Sequence, residues 1–318
     1  MPPRRVIGID AGGTKLLGGV VDEALVVHHR SYRNWRGSER QETLDVMVET
    51  VEELRAAAPD VEAVGFGIPC LVDLESGVST WSTHLPLEGV PFRDLMSERL
   101  ALPVYVDNDS NVALVAEHRN GAARGARHAA MLTLGTGIGG GLLLDGRIYR
   151  GAAGLGAELG HIVTDLDGPD CLGSCPGRGC LEALASGSAI AGEGERAAAA
   201  DRGSELGRRV AAGTEISGAL VTELAHEGDG LAREVLHEVG RRLGAGLTSI
   251  VNALNPEVIV IGGGAVAAGD LLLDPARAVV AERALPPARA RVRIAAAHFG
   301  PEAGMVGAAV LALERGRV

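Results

Sequence analysis

The sequence predicts an α/β protein built from two related units, and three observations carry that prediction. Short apolar strands precede an alternation of helices and strands in the first third of the chain. A strand, glycine turn, strand arrangement near the N-terminus recurs around residue 135. The 318 residues also exceed the roughly 250–300 at which a single hydrophobic core stops growing. In order, residues 5–10, 16–21 and 25–33 read as an antiparallel meander, the first two joined by Ala11-Gly12-Gly13-Thr14-Lys15. Residues 42–58 place Leu44, Met47, Val48, Val51 and Leu54 on one helical face, and Pro59-Asp60 ends that helix. Strand 61–68, helix 91–100, strand 103–106 and helix 109–120 follow, the last opened by the capping run Asn108-Asp109-Ser110.

The second unit opens near Gly121, with strands at 129–134 and 139–144 around Gly135-Thr136-Gly137-Ile138-Gly139-Gly140-Gly141. A glycine- and cysteine-rich stretch covers 151–187. Helices follow at 189–200, 216–226 and 231–254, the long one carrying Val235, Leu236, Val239, Leu243, Leu247 and Ile250 as core or dimer surface. Strand 257–261 runs into Gly262-Gly263-Gly264, and strand 292–296 precedes a final helix at 302–313.

Composition narrows the function. Hydrophobic residues at 46% and charged residues at 22% exclude a disordered chain, and the 46 glycines lack a three-residue period. A net charge of −11 argues against nonspecific nucleic-acid binding, which needs a basic face. No apolar run reaches the roughly 18 residues of a membrane span, and the start leads directly into a strand without a signal-peptide core, so a cytoplasmic protein with no membrane partner is expected. The chain has one lysine, Lys15, and it sits in a glycine turn, which favours a phosphate or carboxylate contact over a merely solvated charge.

Three glycine turns place backbone N–H groups where no Cβ intrudes, which suits phosphate. The first, Asp10-Ala11-Gly12-Gly13-Thr14-Lys15, adds a carboxylate able to hold Mg²⁺ through water, a hydroxyl and a cation. The second contains Thr136 and Gly137. The third, at Gly262 and Gly263, follows a buried strand on which a nucleotide's sugar and base could pack. Neither a Walker loop nor a Rossmann turn is present. Asp109, where a strand gives way to a helix, can accept the proton of an attacking hydroxyl; on position alone a plain helix cap is an equally good reading. His161, Cys171, Cys175 and Cys180 offer one imidazole and three thiolates, enough for a closed tetrahedral Zn²⁺ site, against the alternative of free buried thiols.

Taken in order, Asp10-x-Gly12-Gly13-Thr14-Lys15, Asn108-Asp109-x-Asn111, Leu134-Gly135-Thr136-Gly137-Ile138-Gly139-Gly140-Gly141, Gly160-His161, Gly179-Cys180-Leu181-Glu182 and Gly262-Gly263-Gly264 resemble the ROK (repressor, open reading frame, kinase) family of sugar kinases, from residue 6 to about 310. The resemblance implies two ribonuclease-H-like lobes of the actin/Hsp70/hexokinase ATPase type around a central cleft. The small N-terminal lobe would comprise 1–120 and 300–318, and the larger C-terminal lobe, with the zinc loop, 121–299. It implies an ATP-dependent hexose kinase of the glucokinase kind, in which lobe closure keeps water from ATP. Asp109 would be the general base, and Asn108, Glu158, His161 and Glu182 would hold the sugar. The nucleotide and Mg²⁺ would be held by Asp10, Gly12, Gly13, Thr14, Lys15, Thr136, Gly137, Gly262 and Gly263. His161, Cys171, Cys175 and Cys180 would bind structural zinc, with the second ring nitrogen of His161 on a sugar hydroxyl. The partner is then a small-molecule sugar, and the assembly a homodimer or a dimer of dimers. Kinases for N-acetylmannosamine, N-acetylglucosamine or fructose share these motifs, and polyphosphate is a rival donor. A sugar-responsive repressor would carry a helix-turn-helix ahead of Asp10, where nine residues stand, and a sugar sensor without turnover is the remaining alternative. Four features depart from the family pattern, one being Pro176 where glycine is usual. The first cysteine gap, Cys-Leu-Gly-Ser-Cys, is two residues longer than usual, His84 stands where Asn precedes Leu-Pro, and Cys70 replaces a glycine as a small buried hydrophobe.

Overall fold

A computed structural model describes residues 3–13, 15–35, 39–82 and 85–318; Thr14 and His84 lie outside the described residues. Residues 1–127, 141–157 and 297–318 form one compact unit, and residues 128–140 and 158–296 a second.

The expected meander opens the chain as β1 (Arg5–Ala11), β2 (Lys15–Asp22) and β3 (Val27–Asn34), paired antiparallel. Next come α1 (Arg40–Ala57), β4 (Val64–Ile68), a hairpin of β5 (Cys70–Asp73) and β6 (Val78–Ser82), α2 (Phe92–Leu100), β7 (Val104–Asn108) and α3 (Asp109–Asn120). Strand β4 lies parallel to β1 and β7 parallel to β4, which gives the order β3-β2-β1-β4-β7.

The chain then continues through β8 (Ala129–Leu134), β9 (Ile138–Leu144), β10 (Arg147–Ile148), α4 (Leu181–Ala185), α5 (Gly187–Ala200), α6 (Glu205–Ala211) and α7 (Gly218–Glu227). The last elements are α8 (Gly230–Leu254), β11 (Val258–Gly262), α9 (Asp270–Arg283), α10 (Pro286–Arg289), β12 (Arg293–Ala296) and α11 (Ala303–Leu313). The second five-stranded sheet has the order β10-β9-β8-β11-β12, with β9/β10 antiparallel and β8, β11 and β12 parallel. Two mixed sheets of matching order are the duplication that the recurring glycine turn predicts. The hairpin β5/β6 and helix α9, which runs across Pro275, are additions that the sequence pattern does not mark.

Alternation along β1 sorts its side chains to two faces. Ile7 and Ile9 join Leu16, Val20 and the α1 residues Leu44, Met47, Val51 and Leu54, while Phe66 and Phe92 meet edge to face at 5.2 Å. On the opposite face Val6, Val21 and Ala63 pack with Ala309 and Ala312 of α11. That helix approaches unusually closely: a Cβ at Gly65 would fall 1.8 Å from the Ala308 carbonyl oxygen, and one at Gly307 1.6 Å from that of Val112. In the second unit α8 starts at Asp229, whose carboxylate accepts the Ala232 N–H at 2.7 Å, and ends at Asn255 in the left-handed region. Its stripe of Val235, Leu236, Val239, Leu243, Leu247 and Ile250 is buried beside α7 and α9, and each fully buried Leu contributes about 1.5–3 kcal/mol.

Candidate active site

In the first unit the parallel strands β1, β4 and β7 end side by side, with Asp10 opposite Gly67 and Ile68 opposite Asn108. Ligand sites favour such strand ends. Helix α3 packs closely on this strand end, where a Cβ at Gly67 would meet Val112 Cγ2 at 2.5 Å and lie 3.4 Å from the Asp109 Cα. Burial first, and then the charge of Asp109, push the Asp10 carboxyl up to about 7. A cation is what such a desolvated, like-charged pair lacks, so the donor chemistry at Asp10 fits Mg²⁺. The turn beyond Asp10 is tied down by Trp35, whose indole N–H donates to the Gly12 carbonyl at 2.9 Å. Gly13 is half-buried, and Lys15 starts β2 with an exposed side chain.

Asn108 caps α3, its side-chain oxygen accepting the N–H groups of Ser110 at 2.9 Å and Asn111 at 3.2 Å, while its Nδ2 reaches the Cys70 carbonyl at 3.4 Å. Cys70 is buried as expected, and burial pushes its thiol up to about 11. Asp109 is the first residue of α3, and its Oδ1 accepts from the Ser110 N–H at 2.7 Å and the Ser110 hydroxyl at 3.3 Å. The cap reading of Asn108-Asp109 is therefore correct for Asn108, and it leaves Asp109 one step further along, at the end of a buried strand. Behind them, Asp107 accepts from Arg150, Asn111 and its neighbour's own N–H. Neither periodicity nor motif spacing marks Arg150 or Trp35, because their partners lie 43 and 23 positions away along the chain and neither belongs to a glycine turn.

In the second unit β8 and β11 lie parallel with Gly262 opposite Thr133, so the turns holding Thr136-Gly137 and Gly262-Gly263 meet at one edge. Gly263 adopts φ +82°, and a Cβ there would lie 2.4 Å from the Leu134 carbonyl oxygen. Glu182, on α4, accepts the Ile138 N–H on Oε2 at 2.8 Å. The same oxygen would meet a Cβ on Gly137 at 2.2 Å, so any larger residue there displaces the Glu182 carboxylate. Glu182 Oε1 also lies 3.6 Å from the Cys171 sulfur.

His161, Cys171, Cys175 and Cys180 converge, with one ligand atom from each lying within 4.8 Å of all the others. His161 Nδ1 is 3.6 Å from Cys171 Sγ, and its Nε2 is 3.9 Å from a carboxylate oxygen of Glu158. The longer cysteine gap does not prevent this convergence. Its additional residues turn through Gly173 at φ +62°, with the Cys175 N–H on the Leu172 carbonyl. Burial and the neighbouring thiols push the Cys171 and Cys180 thiols above their ordinary range, so a thiolate set here calls for a cation. Three sulfurs and one imidazole nitrogen are the donor set that suits structural zinc.

The two sheets of repeated order define an actin-like ATPase fold, the class to which these glycine turns belong. The ROK family profile spans residues 6–315, and the chain belongs to the ROK family. It is 34% identical over 322 residues to a glucokinase of Thermotoga maritima, covering 99% of both chains. It is 29% identical to a xylose repressor of Caldicellulosiruptor bescii, covering 87% of this chain and 70% of the repressor. Among solved structures, it is similar to a ROK family glucokinase of Streptomyces griseus in complex with glucose and AMPPNP, at a TM-score of 0.88 and 33% identity, covering 98% of this chain and 99% of that one. No helix of the described residues is long and apolar enough to cross a membrane.

Proposed function

We propose that this protein transfers the γ-phosphoryl group of ATP to the 6-hydroxyl of a hexose, with glucose as the acceptor. The observation that carries the reading is the pair Asp10 and Asp109 at the ends of parallel strands, one carboxyl held up to about 7 by burial and by the other's charge. Phosphoryl transfer asks for an acceptor of the hydroxyl proton, exact placement and neutralised charge. Asp109 takes the 6-hydroxyl proton on a carboxylate oriented by Ser110. Asn108, Glu158, His161 and Glu182 hold the sugar hydroxyls, His161 through Nε2 because Nδ1 faces the thiols. Gly12, Gly13, Thr14, Lys15, Thr136, Gly137, Gly262 and Gly263 take the nucleotide's phosphates on backbone N–H groups, a hydroxyl and a cation. Asp10 is the group that holds Mg²⁺, which neutralises charge on the transferred group when bound. Zinc, when bound, cross-links the loop that carries His161. The likeness to glucokinases over nearly the whole length supports glucose as the acceptor.

A second reading, favoured by the likeness to a xylose repressor, is a protein that binds sugar without transferring phosphate. A coupled ADP-release assay with Mg-ATP over glucose, mannose, fructose, N-acetylglucosamine and N-acetylmannosamine separates the two. The kinase reading expects the highest kcat/KM on glucose. Sugar binding with no ADP release from any of the five, and none on substituting polyphosphate as donor, would establish the sensor.

A further inference from the structure

The ion pair between Arg150 and Asp107 has no place in the roles above, yet it backs the turn that carries Asn108 and Asp109. Its side chains are only 15% and 3% exposed. Arg150 reaches one carboxylate oxygen, Oδ2, with two donors, Nε at 2.9 Å and Nη2 at 2.7 Å. The other oxygen, Oδ1, accepts the Asn108 N–H at 2.8 Å and the Asn111 Nδ2 at 3.1 Å. A single carboxylate therefore joins the end of β7, the first turn of α3 and the segment after β10. Arg150 is itself held at Nη1, by the main-chain oxygens of Ile148 at 3.4 Å and Val318 at 3.2 Å.

A buried ion pair is a poor way to gain stability, because desolvation of both charges offsets most of their attraction and an apolar pair of equal volume commonly does as well. What the pair supplies is direction. A fork of N–H donors fixes a carboxylate in angle as well as distance, and that carboxylate fixes the peptide leading into Asp109. We propose that Arg150 is a positioning residue, acting through Asp107 to set the Asn108-Asp109 turn so that the Asp109 carboxylate meets the acceptor hydroxyl. The proposal rests on the reading of Asp109 as the proton acceptor.

Three variants test it: Arg150→Met, Arg150→Lys, and Arg150→Met combined with Asp107→Asn. The double variant leaves no unpaired buried charge and so remains foldable if Arg150→Met alone does not. The expected result is a kcat per folded molecule lower by about 100-fold in Arg150→Met and the double variant, with KM for ATP within about threefold of wild type, because a misplacement near 1 Å has that scale of effect. Arg150→Lys, which keeps the charge but loses the fork, falls between. Hydrogen exchange adds a readout independent of turnover: amides of residues 104–112 exchange about tenfold faster in the variants, while those of α8 are unchanged. An unchanged kcat in the double variant, or unchanged exchange at 104–112, overturns the proposal. A wild-type protein that phosphorylates none of the sugars, yet shows the localised exchange change, would overturn the kinase reading and leave the clamp on this turn standing.

Discussion

The two regions proposed to hold the sugar are built on opposite plans. Asn108 and Asp109 stand where β7, the strand at the end of a five-stranded sheet, runs into a helix, with a cap, a buried carboxylate and Arg150 beneath them. The loop carrying His161 has a single 3-10 turn, Leu159–His161, and isolated bridges between Val163 and Cys180 and between Asp170 and Arg178. From His161 to Cys180 only Gly168, Gly179 and Cys180 are buried, so this stretch has almost no apolar side chain to anchor it. Packing and a buried ion pair hold the Asn108-Asp109 turn, whereas in the loop, which lacks a core, the converging His161, Cys171, Cys175 and Cys180 are the groups a metal would cross-link. The two regions should therefore fail by different routes.

The largest expected effect lies on the packed side. Asp109→Asn should lower kcat by about 10²–10⁴-fold with sugar affinity, measured by calorimetry, nearly retained. Unchanged turnover would remove Asp109 from the chemistry. On the loop side, elemental analysis should find one zinc per chain in protein purified without chelator. Cys175→Ala should lower kcat/KM by about 10–100-fold and open the segment around Leu166 to protease, while the first unit keeps its exchange protection. Zinc-free protein with full activity would break the contrast between the two plans.

A smaller effect concerns the charge at Asp10. Its folded-state value of about 7 lies above the ordinary 3.8, so the folded chain holds a proton there that the unfolded chain has released. Its contribution to stability is full below the lower value and is lost as pH rises to the upper one. In protein free of metal and nucleotide, Asp10→Asn should therefore match wild type near pH 4 and exceed it by about 1–3 kcal/mol at pH 8. Equal stabilities at pH 8 would show that burial at Asp10 is already compensated. The smallest difference separates the two glycine turns. Gly137→Ala forces a Cβ to 2.2 Å from Glu182 and should cost about 1–2 kcal/mol, more than Gly12→Ala, where the nearest atom is the Lys15 carbonyl oxygen at 3.3 Å. Thermal unfolding of both variants orders them.

Much of this was legible in the residues themselves. The meander follows from its short apolar runs and glycine turn, α1, α5 and α8 from a periodic buried stripe, α3 from its capping run, and the strand leading to Gly262-Gly263, buried throughout, from an unbroken apolar run. Cys171, Cys175 and Cys180 announced their cluster by spacing within ten residues. Helix α9 did not stand out, since Pro275 interrupts its pattern, and the β5/β6 strands, four and five residues long, show little periodicity.

By itself the sequence determined the fold class, the family, the four converging ligands and the glycine turns, all of them properties of local spacing or of short motifs. The tertiary structure alone decided which segments group into each unit, that Arg150 reaches Asp107 across 43 positions, and that one Glu182 oxygen is taken by the Ile138 amide. It also decided that Asp10 lies deep enough, and near enough to Asp109, for its carboxyl to hold a proton near neutral pH. The division has a physical cause. Helix caps, strand alternation and turn glycines are set by neighbours within a few residues, whereas burial and charge coupling depend on atoms that only folding brings together.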